Sequence, residues 1–397
     1  MPRAGGTAPA STAPASPEPT ATSGQELATY PSGSRPHLVS DGRTLAVFDS
    51  PAGGGHQLDL FDLRSGRKTN TLDLETSDQW KNACALALVP QEHGGHSLIV
   101  STSVVARPAE GIHPARGTLS LRAHDAVTGS LMWKKDVEKD STQWGSSCEG
   151  ATTTELALSA TSDGTYALLA PGLRTYLVRL DDGTTRQVPE ATVVLDRWLG
   201  LPRGNSSRIG AVSVDIQAPA TGRKLGSVPE PVTAGSEELG RTEAHRGILI
   251  ALDSEDAQGE NAMRGYSLPS GKPVWSLRHS ATGHDDWVTM DLDAPTGTAI
   301  VYDNGGGSLG ALAAVDVVSG KLRWKIDGSD DFCGMADGRV YLRVNDQSAV
   351  LDARTKRQVR FDAQDTDCPE VLPGVLMYTD DDQQDTTDTY RYRIATP

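Results

Sequence analysis

Four cysteines, a few histidines and acids, and seven tryptophans are the residues of this 397-residue chain whose types and spacing could do chemistry. The cysteines are Cys84, Cys148, Cys333 and Cys368, and no CxxC occurs among them, which argues against zinc ribbons and thioredoxin-type redox sites. Their contexts match in pairs. QWKNAC (79–84) and QWGSSC (143–148) each place a tryptophan four residues before the cysteine, while DDFCGMADG (330–338) and DTDCPEVLPG (365–374) each place a cysteine just before a hairpin. Matched contexts and an even count predict the bridges Cys84–Cys148 and Cys333–Cys368, and bridges point to an oxidising, extracytoplasmic site. The alternative is four buried thiols in a cytoplasmic protein.

Metal and catalytic motifs are weaker. QEHGGH (91–96) brings His93, His96 and Glu92 into one loop, a set that could hold a metal, but no further ligand is placed and a Gly-turned hairpin tip explains it as well. TGHDDW (282–287) reads the same way, as a solvated loop between structural units. The acidic stretches DSEDAQGEN (253–261) and TDDDQQDTTD (379–388) lack the ligand order of a calcium loop and read as solvated hairpin connections. There is no P-loop or HExxH. No catalytic residue, metal or cofactor is assigned.

The elements that must position these residues follow from composition and repeats. Net charge is −15 with a pI near 5.0, which disfavours nucleic acid and anionic lipid as partners. No apolar run is long enough to span a bilayer. Arg outnumbers Lys 27 to 10, and Ala, Gly, Asp and Thr are abundant, a bias in the style of a high-GC actinobacterial genome. Residues 1–24 are almost entirely Ala, Pro, Ser, Thr and Gly, and are expected to be a disordered linker. Such a linker suits a folded domain, residues 25–397, tethered to a cell-surface anchor or signalling protein whose export signal or anchor lies outside this sequence.

A repeat runs through that domain. The pattern is Asp, two residues, Ser or Thr, Gly, three residues, Trp. It is complete at Asp125/Thr128/Gly129/Trp133 and Asp316/Ser319/Gly320/Trp324, and lacks only the Asp at Ser267/Ser270/Gly271/Trp275. Weaker copies are Asp62/Ser65/Gly66, DDGTTRQV (181–188), Thr221/Gly222 with Gly226 in the Trp place, and Asp352/Thr355 with Lys356 in the Gly place. Asp bonds backbone N–H groups two residues on, and Gly supplies the positive φ of a tight strand connection. The strand before the turn alternates, as in LAAVDV (312–317), and a second hairpin lies upstream, as in SDGTYALLAP (162–171). Each unit is therefore a four-stranded antiparallel meander. Meanders that cannot bury their own faces must stack, and radial stacking gives an all-β propeller. Trp133, Trp275 and Trp324 are expected on the outer strands, docked on the neighbouring blade. QELATYP (25–31) is an orphan strand, and the C-terminus offers three strands without a fourth. Joining them closes the ring with eight blades; seven blades, with the weak unit 191–230 absorbed, is the alternative.

In a propeller the connections between units emerge on one face, around the central channel. They carry Trp80, Trp144, Trp198, Trp287 and Phe332, with Asp286, Asp330 and Asp331 beside them. These rings either wedge between blades or line a mouth where a ligand stacks. On the second reading, Trp80, Trp144, Trp198, Asp286, Trp287 and Phe332 are the candidate ligand-binding residues.

DAVTGSLMW, SLPSGKPVW and DVVSGKLRW resemble the repeat of pyrroloquinoline-quinone-like β-propellers. That family splits into quinone- and calcium-dependent dehydrogenases and a non-catalytic branch of envelope scaffolds and extracellular sensor domains. Many of the dehydrogenases carry a disulfide between adjacent cysteines, and no Cys-Cys pair exists here. The resemblance thus implies a non-catalytic, extracytoplasmic binding or sensing module for a protein, cell-wall or small-molecule ligand. A quinone-dependent dehydrogenase and an envelope-assembly scaffold are the alternatives.

Overall fold

The computed structural model describes residues 26–31, 37–49, 57–73, 83–89, 97–107, 109–110, 113–141, 156–171, 174–189, 192–203, 213–228, 242–253, 262–282, 289–302, 311–327, 331–344, 347–359, 368–381 and 390–396. Within them the seven repeat turns close in one way. Gly66, Gly129, Gly183, Gly222, Gly271, Gly320 and Lys356 have φ between 62° and 71°. Each donates its N–H to the carbonyl four residues back, at 2.7–3.0 Å. In four of the turns the carboxylate of Asp62, Asp125, Asp316 or Asp352 accepts both the N–H and the hydroxyl of the Ser or Thr three residues on. A register shift of the outer strand accompanies the turn, for example at Ala123/His124 and Ala314/Val315. A bulge beside a positive-φ residue is the ordinary geometry of a short hairpin.

Among the described residues thirty-two strands form eight four-stranded antiparallel sheets, each of consecutive strands except one. Blades one to seven are residues 37–73, 83–141, 156–188, 193–228, 242–278, 289–326 and 331–359. Blade eight takes β30 (Glu370–Leu372), β31 (Val375–Asp381) and β32 (Tyr390–Ala395) from the C-terminus and β1 (Glu26–Pro31) from the N-terminus. Strand β1 pairs antiparallel with β32 as the outermost strand, so the ends of the domain hold the ring shut. The weak unit is a complete blade, which decides for eight. Among the described residues no helix is long and apolar enough to cross a membrane.

The core is divided by interface. Eight apolar clusters among the described residues each join one pair of neighbouring blades. LAAVDV reads as a half-buried alternation, yet Leu312 to Val315 are all buried. Leu312 and Ala314 meet blade seven while Val315 meets blade five, because a blade is covered on both faces.

The outer strands add a directional link. Trp133 donates its indole N–H to the Leu180 carbonyl at 2.8 Å, Trp275 to Val317 at 2.9 Å and Trp324 to Ala353 at 2.9 Å. Each acceptor opens the repeat turn of the next blade. A side-chain methyl on Gly320 would lie 2.4 Å from the Trp275 ring, so the glycine serves both the turn and the docking. In blade one Asn70 takes the tryptophan's role and donates to the Thr128 carbonyl at 2.8 Å.

The two rims differ in kind. The repeat turns and the first hairpin of each blade share one rim, where polar contacts pass from blade to blade. Asp196 accepts the Gly247 N–H at 2.9 Å, Asp293 accepts the Gly338 N–H at 3.1 Å, and Asp337 accepts the Gly374 N–H. The Ser97 hydroxyl donates to Asp41, and that of Ser40 to the Pro373 carbonyl. The opposite rim carries the connections between the second and third strands and between blades.

Candidate functional site

The second rim is where the interblade connections were expected to gather ligand-binding residues. Trp80, Trp144, Asp286, Trp287 and Cys148 lie outside the described residues, as do the 91–96 and 283–287 stretches and most of both acidic loops. Cys84 is the second residue of the inner strand of blade two, Ala83–Val89. Two of the candidate aromatics are described, and the fold separates them. Trp198 follows the first hairpin of blade four, between Val193–Leu195 and Trp198–Arg203, and therefore stands at the rim of short turns. It packs against the cluster between blades four and five, with the Arg197 guanidinium 5.9 Å from its ring. The expectation that it shares a face with the other connections is corrected: a two-residue turn at Asp196 and Arg197 leaves it inside a blade, not between blades.

Phe332 is at the expected rim. It is the second residue of β26 (Asp331–Ala336), the inner strand of blade seven. A bulge between Phe332 and Gly334 lets Phe332 and Met335 both turn toward blade six, while Cys333 turns toward blade eight. Cys333 is bonded to Cys368, with Cα atoms 5.1 Å apart. Cys368 lies two residues ahead of β30, so the bridge ties the inner strands of blades seven and eight at this rim. Asp331 is held by the Arg343 guanidinium across the strand pair at 2.8 Å.

Blade six supplies the facing wall. Its first two strands, β22 (Thr289–Asp293) and β23 (Thr298–Tyr302), pair so that Asp291 stands opposite Ile300 and Thr289 opposite Tyr302. Met290 and Leu292 point toward blade five. Alternation therefore aims Asp291 with Ile300 and Tyr302 toward blade seven. The Tyr302 and Phe332 rings meet with centroids 4.5 Å apart, tilted by 42°. The Asp291 carboxyl is half-buried and makes no hydrogen bond or ion pair among the described residues; burial pushes it above the ordinary range. Burial, and then the Asp291 charge, push the Tyr302 phenol up to about 12.

The site is thus the seam between two inner strands, where an aromatic pair adjoins a half-buried carboxylate that has no counter-ion among the described residues. It can stack a flat or cationic group and offer it an acceptor. Among the described residues no group of three or more His, Cys, Asp and Glu is arranged to hold a metal. Sequence reasoning singled out Phe332 as a candidate and passed over Asp291 and Tyr302. The available signal was an acid on an inner strand, in TMDLD (289–293), two residues from the hairpin acid Asp293.

No family model matches the chain, and no curated protein matches it. Solved structures do. A dipeptidyl peptidase 4 of Porphyromonas gingivalis aligns at 11% identity and a TM-score of 0.52, over 90% of this chain and 56% of that one. Prolyl endopeptidases align at 14% identity and a TM-score of 0.45, over 81% of this chain and 46% of theirs. The dihydro-heme d1 dehydrogenase NirN aligns at 15% identity and 0.35, over 74% of this chain and 57% of that one. The likeness to the first of these is one of fold. At such identities the likeness extends no further, and the chain spans only about half of each of these proteins.

Proposed function

We propose that this chain is a non-catalytic, extracytoplasmic binding or sensing propeller, held by its N-terminal linker to a membrane anchor or a signalling protein. The observation that carries the reading is the Cys333–Cys368 bridge, set at the rim of the long connections next to the Tyr302–Phe332 ring pair. A bridge there suits an oxidising compartment, and it ties the inner strands of blades seven and eight. Docking of Trp133, Trp275 and Trp324 on the following blade supports the pyrroloquinoline-quinone-like repeat that the turn motif resembles. A ring closed by both ends of the domain presents loops from eight blades on a rigid frame, which suits binding without chemistry.

The test is fractionation of the native host, with intact-mass measurement of the chain before and after reduction. The reading expects the protein in the envelope or the medium with Cys333–Cys368 oxidised. Reduced protein confined to the cytosol would overturn it. So would dye-linked alcohol oxidation after reconstitution with quinone and calcium.

A further inference from the structure

We propose that Asp291, Tyr302 and Phe332, half-buried at the seam between blades six and seven, bind an organic ammonium ion. The inference deepens the binding reading and rests on it. Its starting point is the carboxylate. The other acids of the neighbourhood are engaged: Asp293 accepts the Gly338 N–H at 3.1 Å, Asp337 accepts the Gly374 N–H, and Asp331 pairs with Arg343 at 2.8 Å. Asp291 alone among these four has no hydrogen bond or ion pair with the described residues, although it is half-buried between apolar strands. A carboxylate withdrawn from water without a partner is costly, and a bound cation offsets that cost.

The walls decide which cation. A hard metal ion needs six or more oxygen ligands, and Asp291 brings at most two toward Ile300, Tyr302 and the Phe332 ring. An alkylammonium ion matches both halves: its charge meets the carboxylate and an aromatic face, and its carbon chain lies on apolar surface. The Tyr302 hydroxyl has no hydrogen-bond partner among the described residues, and its phenol stays protonated across the neutral range. It can accept one ammonium hydrogen while donating to solvent. A net charge of −15 draws cations toward the whole molecule.

The experiment is a titration of the full chain at neutral pH and constant ionic strength, followed by NMR saturation transfer. The probes are n-butylammonium, its neutral isostere 1-butanol, and Nα-acetyl-lysine amide. The expected result is tighter binding of n-butylammonium than of 1-butanol, by about tenfold or more. Asp291→Asn should abolish that preference without lowering the urea midpoint. Phe332→Leu should weaken the cation by about threefold while sparing the alcohol. The ratio of acetyl-lysine amide to butylammonium tells a peptide lysine from a free amine; either order supports the proposal. Equal binding of alcohol and ammonium by the wild-type chain overturns it, whatever the variants do, and so does a preference that survives in Asp291→Asn. Failure on these terms in a protein found oxidised in the envelope removes the ammonium ligand and leaves the binding propeller standing.

Discussion

Replacing Trp324 by alanine should cost more stability than any other single truncation on the outer strands. Its side chain is only 8% exposed, whereas Trp133 and Trp275 are half-buried. A tryptophan buries about 200 Å2, and at about 25 cal/mol per Å2 that is about 5 kcal/mol as an upper value. Truncations of this kind cost about 3–5 kcal/mol. The loss includes the indole bond to the Ala353 carbonyl at 2.9 Å, whose buried oxygen would be left without its donor. Trp324→Phe separates the parts: it keeps much of the ring and forfeits the donor, for about 1–2 kcal/mol. The assay is equilibrium urea unfolding followed by far-ultraviolet circular dichroism and by tryptophan fluorescence, with coincident transitions required before free energies are compared. The order expected is Trp324→Ala worst, then Trp275→Ala and Trp133→Ala, then Trp324→Phe. A cost for Trp324→Ala below about 1.5 kcal/mol would refute the docking as a source of ring stability. Equal costs for the Phe and Ala variants would refute the division between burial and bonding.

Three further outcomes follow from the same geometry. Gly320→Ala should destabilise by about 2 kcal/mol or more, since φ is +66° and the new methyl meets Trp275 at 2.4 Å, while Lys356→Gly at the matching turn should lose little, which thermal melts of both variants will show. Cys333→Ser with Cys368→Ser opens a loop with a sequence separation of 35 and should cost up to about 4 kcal/mol in urea unfolding; no loss would mean that the bridge constrains nothing. Burial alone would raise the Asp316 carboxyl, but the Arg323 guanidinium at 2.5 Å and the Ser319 N–H and hydroxyl hold it at about 2. Its folded value is therefore depressed from 3.8, so the stability it adds is fully present above pH 3.8 and is lost as pH falls toward 2; Asp316→Asn should flatten that part of the acid unfolding curve.

The number of blades and the way the ring closes were legible in the chain because both rest on local rules. An Asp or Ser, a Ser or Thr and a Gly at fixed offsets can build only a tight strand connection, so DAVTGSLMW and DVVSGKLRW announced their turns before any packing was known. The decayed copies kept enough of the rule to be counted, and the orphan strand QELATYP matched the strand missing at the other end. Pairing of Cys333 with Cys368 was legible for a similar reason, since equal contexts in consecutive repeats become neighbours when repeats stack. Tertiary structure alone decided which side chains face each other across a blade interface. The bulge at Cys333 turns Phe332 toward Tyr302, and nothing in DDFCGMADG marks it. Trp198 left the predicted rim because a two-residue turn and a linking segment look alike in composition but open on opposite faces. Asp291 stayed hidden because an acid on an inner strand has the same spelling whether a neighbouring N–H satisfies it, as with Asp293, or whether it stands beside an aromatic pair with no partner among the described residues. Turn chemistry is short-range and survives in one dimension; the partner of a buried charge is set by residues forty positions away, and only the stacked blades bring them together.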